Sequence, residues 1–170
     1  MIENLLQGKW VKHPLHPAIV HIPVSMWITS LVFDFLALSG SETELLSRLS
    51  VYALALGLVV ALLAIPTGIA DWWSIGKENP AWKLGVFHMA MNWIASLAFG
   101  VSLGVRLVNG SSNVVSALPL ILSIVGVGFL LVGMYLGGRM TYEYGVSVAR
   151  NSKDRWRKLA QEGQAKVPSE

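Results

Sequence analysis

Four histidines, His13, His16, His21 and His88, are the side chains of this 170-residue chain best suited to chemistry near neutral pH, and there is no cysteine to compete with them. Neutral imidazole is the commonest metal ligand and a standard axial ligand of haem iron. Three of the four fall in the segment His13-Pro14-Leu15-His16-Pro17-Ala18-Ile19-Val20-His21-Ile22-Pro23. His13 and His16 each precede a proline, which pushes them toward extended backbone at a surface. His21 follows Pro17 by four residues and can lie one helical turn further in. Pro23 should bend the helix and free a carbonyl near Ile19. His88 has Asn92 four residues on, hence on the same helical face.

These spacings suggest His21 and His88 as two ligands of one haem iron or metal, with His13 and His16 as an outer cap, alternative ligands or a second site. Asn92, Arg139 and Tyr142 are further cofactor-binding candidates, and Lys12, Lys83 and Arg139 are cations suited to haem propionates. A divalent metal at His13, His16 and His21, with Asp71, is an alternative. No HExxH-type base accompanies it, so a hydrolytic metalloenzyme is not expected. The plainer reading has the histidines donating to freed carbonyls or to Asn92. Lack of cysteine excludes disulfides, iron–sulfur clusters on the chain's own thiolates, covalent c-type haem, Cys zinc sites and thiol catalysis. No catalytic nucleophile–base pair or phosphate loop can be read.

The elements that must position these residues follow from composition. Residues of the AVILMFWYC set make up 54% of the chain and charged residues 14%, against about 25% charged in an ordinary soluble domain. A bilayer core needs about 20 largely uncharged helical residues. Four stretches qualify: 17–39, 49–70, 84–107 and 117–137. The first is too long for the apolar region of a cleaved signal peptide and is expected to stay. Asn79-Pro80 reads as an N-cap followed by proline at the first helical position. Pro66 and Gly68 predict a kink or early unwinding at the end of the second span. The fold expected is an all-α, integral-membrane four-helix bundle with short interfacial N- and C-terminal segments, residues 1–148 forming the transmembrane domain and 149–170 a basic cytoplasmic tail.

Counted along these spans, Lys9, Lys12, Lys77, Lys83, Arg139, Arg150, Lys153, Arg155, Arg157, Lys158 and Lys166 lie on one side, and only Arg48 and Arg106 on the other. The positive-inside rule then puts both termini in the cytoplasm. All four histidines fall on that same side, as do Asp71-Trp72-Trp73 and Tyr142. Ile2, Leu5, Leu6 and Trp10, and in the tail Trp156 and Leu159 among cations, suggest interfacial helices drawn to anionic lipid headgroups. A solvated tail is the alternative.

Asp34 lies well inside the first span and needs a partner, and Arg106, at similar depth on the third, is the expected one. A structural ion pair is favoured over a proton-carrying acid. Gly100–Gly104 and Gly133–Gly137 have the GxxxG spacing of close helix packing, with a flat cofactor slot as the alternative. The intervals His21 to His88 and Gly68 to Gly137 hint at a two-plus-two parallel repeat.

The chain resembles the bacterial membrane-protein family known as domain of unknown function 2231 from His13 to about Val148. The resemblance rests on His13-Pro14-x-His16-Pro17-x-x-x-His21-x-Pro23, on Gly68-x-x-Asp71, on His88-x-x-x-Asn92 and on Gly137-Gly138-x-x-x-Tyr142-x-x-Gly145-Val146. Some members of that family carry the membrane unit fused to Rieske-type or cytochrome-type modules, which implies a place in electron transfer. No such module follows the fourth span here, so the electron donor is expected to be another protein or a quinol. The reading that results is a noncovalent b-type haem protein serving electron transfer. The alternatives are a noncatalytic structural subunit of a respiratory-type membrane complex and a divalent-metal-binding membrane protein. The lipid bilayer is the first partner, respiratory or redox membrane proteins and a second copy of the chain are further ones, and nucleic acid is not.

Overall fold

A computed structural model describes residues 2–11, 13–40, 42–110 and 115–146. The cationic tail and its interfacial helix, Lys12, and most of the expected Asn109–Asn113 turn lie outside the described residues. Among the described residues six helices occur in order: α1 (Ile2–Leu6), α2 (Leu15–Ile19), α3 (His21–Leu38), α4 (Thr43–Trp73), α5 (Pro80–Val108) and α6 (Ala117–Tyr142). Among the described residues four spans, Leu15–Leu38, Thr43–Trp73, Pro80–Val108 and Ala117–Tyr142, are long and apolar enough to cross a membrane. The protein is an all-α membrane helical bundle.

Local chemistry explains where these helices begin. Both Pro17 and Pro23 sit in the first turn of a helix, where the missing N–H has no intrahelical partner to lose. The chain stays helical through both and breaks only at Val20 between α2 and α3. α5 starts as its sequence predicts, with the Asn79 Oδ1 accepting from the Ala81 N–H at 3.0 Å and Pro80 at the first helical position. The unwinding expected at Pro66 does not occur. α4 runs on to Trp73, because a proline costs one ladder bond and nearby side chains can re-satisfy the backbone in a membrane helix.

α3 packs along α4 and α5 along α6, while lesser α4–α5 and α3–α6 contacts close the ring. α3 and α5 therefore face each other across the bundle. At its centre Trp27 stacks on Phe99, centroids 4.5 Å apart and planes 24° from parallel. Leu54, Ala61, Ala95 and Leu130 complete this core. Gly57 and Gly126 make room for the two rings: a Cβ at Gly126 would come within 2.8 Å of Phe99, and one at Gly57 would strike the Trp27 indole.

Such pairs recur at one interval. Trp27 and Phe99 are 72 residues apart, as are Ser30 and Ser102, and Asp34 and Arg106. On the second helix of each hairpin, Gly57 and Gly126 are 69 apart. The two hairpins are thus parallel repeats about a pseudo-two-fold axis running along the bundle.

At the end of the bundle away from the histidines, Asp34 and Arg106 meet on that axis. The guanidinium donates from Nη2 to Oδ2 at 2.6 Å and from Nη1 to Oδ1 at 2.8 Å, a two-pronged pair with side chains 0% and 6% exposed. The Ser50 hydroxyl donates to Asp34 Oδ1 at 2.6 Å, and Arg106 also reaches Ser123 at 3.3 Å. The carboxylate and guanidinium satisfy each other within a ring of serines, the condition under which such charges are tolerated inside a membrane protein.

Candidate functional site

A cavity of about 500 Å³ opens among the four long helices at the histidine end, within the usual size range for a small-molecule site. Trp27, Ala61 and Leu130 line its deep part, and Trp72, Met140 and Tyr142 its outer part. Most of the lining is apolar, and His16, His88 and Asn92 are among its few polar groups. Trp72 is fixed by its indole N–H donating to the Trp82 carbonyl at 3.0 Å, and it lies against Gly85, where a Cβ would collide with it.

The two histidines are held alike. His16 Nδ1 lies 3.0 Å from the Ala64 carbonyl oxygen on α4, and His88 Nδ1 lies 2.8 Å from the Gly133 carbonyl oxygen on α6. A carbonyl can only accept, so each Nδ1 is a donor, and in a neutral ring the lone pair then lies on Nε2. Four residues beyond each carbonyl stands a glycine against which the imidazole edge packs. A Cβ at Gly68 would be 2.8 Å from His16 Cε1, and one at Gly137 would be 3.0 Å from His88 Cε1. His16 and His88 are 72 residues apart and Gly68 and Gly137 are 69 apart, the intervals of the core repeat. The ring centroids are 6.3 Å apart with planes 87° from parallel.

Here the arrangement departs from the sequence expectation. His16, rather than His21, is set against His88. Once helix begins at Leu15, residues 16 and 21 are separated by about 140° around the axis, so only one can face the bundle interior. His21 is exposed at the cavity wall, and its carbonyl accepts from the Ser25 hydroxyl at 2.7 Å. His13 is exposed, with Nδ1 3.1 Å from the Pro14 carbonyl oxygen. Among the described residues no three His, Asp or Glu side chains group as a metal site would need. The expected cluster of His13, His16 and His21 is therefore not assembled, because His13 and His16 are turned to different backbone carbonyls.

Asn92 donates from Nδ2 to the His88 carbonyl at 2.7 Å and sits 3.4–3.5 Å from both His88 ring nitrogens. It fills the space over Gly133, where a Cβ would be 2.6 Å from Nδ2. The Gly133–Gly137 pair therefore receives the His88 and Asn92 side chains. At Gly100 and Gly104, by contrast, an added Cβ would have no heavy atom of the described residues within 4 Å, so neither glycine makes room for a side chain of the bundle.

Tyr142 lines the outer cavity and is largely exposed. Arg139 is outside the lining and pairs with Glu143 one turn on, at 2.7–3.0 Å. That hydrogen bond, with the guanidinium charge, holds the Glu143 carboxyl below the usual carboxylate range. Lys83 is exposed. Thr67 was not singled out by its sequence context, yet its hydroxyl donates to the Ala64 carbonyl at 2.7 Å and lies 3.4 Å from His16 Nδ1.

Compared with known proteins, residues 12–150 match the family described as predicted membrane protein (DUF2231). No curated protein and no solved structure matches the chain.

Proposed function

The chain belongs to the DUF2231 family of predicted membrane proteins, and we propose that its bundle holds a b-type haem between His16 and His88 and serves electron transfer within the membrane. One observation carries this reading, the disposition of the two imidazoles. Two such rings on opposite sides of one metal ion, with metal–nitrogen bonds of about 2.0–2.1 Å, have centroids about 6 Å apart. The His16 and His88 ring centroids are 6.3 Å apart, and the carbonyl at each Nδ1 would leave Nε2 as the ligating atom. A hydrogen bond at the far ring nitrogen is the usual device for orienting a metal-bound histidine and raising its basicity.

The chain's own residues supply the rest of the site. Trp27 and Leu130 close the deep side, while Trp72 and Met140 narrow the outer one, so water is restricted around an apolar macrocycle. Lys83 is suited to a propionate at the outer edge. Arg139 could serve there only by giving up Glu143. A bound haem supplies one-electron redox chemistry, with its potential set by the two imidazoles and the dry surroundings.

Lys9, Lys77, Lys83 and Arg139 sit at the histidine end, and Arg48 and Arg106 toward the other, a distribution that by the positive-inside rule supports a site near the cytoplasmic face, the membrane being the inner one of a bacterium in this reading. The protein, purified in detergent after expression with ample haem, should carry a Soret band and one iron per chain. Absence of both from folded protein overturns the proposal.

The open faces of Gly100 and Gly104 favour a second reading, a structural subunit packed against another helix of a larger complex. Cross-linking in native membranes from introduced residues at 100 and 104 tests it, and capture of no partner helix would contradict it.

A further inference from the structure

The two histidines are related by the repeat, but their supports are not equal, and the inequality points to a function for one of them. The His16 acceptor is shared: the Ala64 carbonyl takes the Thr67 hydroxyl at 2.7 Å as well as His16 Nδ1 at 3.0 Å. A carbonyl has two lone pairs, and within a helix it also serves its own backbone ladder. Three donors therefore compete at Ala64. The His88 acceptor, Gly133, takes Nδ1 at 2.8 Å, and the position of α6 equivalent to Thr67 is Leu136, which has no hydroxyl to compete.

Two further asymmetries run the same way. His88 lies in the third turn of the 29-residue α5, with Asn92 braced against it, while the residue equivalent to Asn92 in the first hairpin is Val20. His16 lies in the five-residue α2, which has no side-chain cap and ends at the break before α3.

Resting on the haem reading above, we propose that His88 is the permanent axial ligand and His16 an exchangeable one, so that the reduced site binds a neutral diatomic gas on the His16 side. A stronger Nδ1 hydrogen bond makes the imidazole a better donor to iron, which favours retention of His88. With haem bound, the iron–Nε2 bond of His16 would break with its electron pair returning to the imidazole, and the incoming ligand would donate a pair to iron. No electron is gained or lost. The ring then needs only to swing away on the five-residue α2. Thr67 acts as a positioning residue, weakening the hold of Ala64 on His16.

Carbon monoxide, added to the dithionite-reduced full chain in detergent or nanodiscs, is the test. The wild-type Soret band should shift on saturation with the gas. His16→Ala should keep its haem and bind the gas faster, with no ligand to displace, whereas His88→Ala should lose most of its haem. Thr67→Val, which removes the hydroxyl that competes with His16 at Ala64, should slow gas binding on the order of tenfold while leaving haem content unchanged. A haem-loaded wild type whose spectrum saturating carbon monoxide does not move overturns the proposal, as does haem retained in His88→Ala but lost in His16→Ala. A Thr67→Val rate equal to wild type overturns the role given to Thr67. Wild-type protein with no haem would instead remove the reading on which this one rests, so the two failures are distinguishable.

Discussion

Asp34 and Arg106 occupy equivalent positions of the two hairpins and bind each other, carboxylate to guanidinium, on the axis that relates them. The same axis passes between Trp27 and Phe99 and between His16 and His88. One line through the bundle therefore carries an ion pair, an aromatic stack and the imidazole pair. Opposite charges at equivalent positions also select hairpin for hairpin, since two copies of either half would set like charges together at the centre.

Removing one partner of this buried pair should cost about 3–5 kcal/mol, because the other charge is stranded. Asp34→Ala is expected to lower the melting temperature in detergent sharply. The exchanged double variant Asp34→Arg with Arg106→Asp should recover a large part of the loss. Asp34→Asn should lower stability while leaving the optical spectrum of the folded fraction unchanged, which separates a structural pair from a proton carrier.

Gly68 and Gly137 each accept an imidazole edge, and a Cβ at 2.8 or 3.0 Å from that edge forces the ring away. Gly68→Ala and Gly137→Ala should each cost about 1–3 kcal/mol, and Gly137→Ala, which displaces His88, should also reduce cofactor content. Gly104→Ala, in open space on the same bundle, should be neutral in both. Thermal melts and the ratio of Soret to protein absorbance measure the contrast.

Trp27, 3% exposed, forms both core and cavity floor. Trp27→Ala should destabilise by about 3–5 kcal/mol, while Trp27→Phe should keep the stack on Phe99 and most of the stability. Chemical denaturation in mixed micelles distinguishes the two variants.

Much of this architecture is legible from residue type and spacing. The long uncharged runs specify the spans, Asn79-Pro80 marks the start of α5, and Asp34 and Arg106 at similar depth point to each other. The histidine pair is less legible because Pro17 has two meanings. Read as a barrier, it leaves His16 extended and favours His21. Read as a first-turn residue, it lets α2 include His16, and rotation about the helix then turns His21 aside. The 72-residue interval from Trp27 to Phe99 would have distinguished these readings, but a tryptophan matched to a phenylalanine and an aspartate to an arginine do not look alike in sequence. GxxxG spacing likewise does not say whether a helix or an imidazole will fill the gap.

At the outer end of α6, the depressed Glu143 acidity gives a pH dependence of known sign. The Arg139 pairing stabilises the ionised carboxylate, so its contribution is present above the ordinary carboxylate pKa and disappears as acid protonates Glu143. Amide exchange around residues 139–146 should quicken on acidification relative to the intrinsic rate, and Glu143→Gln should abolish that pH dependence.

The central claim, that His16 and His88 ligate one haem iron from opposite sides, is tested most directly by electron paramagnetic resonance of the oxidised, purified full chain at low temperature. With ring planes 87° apart, the ferric site should give a strongly anisotropic low-spin signal dominated by a single low-field feature, lost when His88 is changed to Ala. A rhombic three-line spectrum unaffected by either substitution, or no haem signal from folded protein, would contradict it.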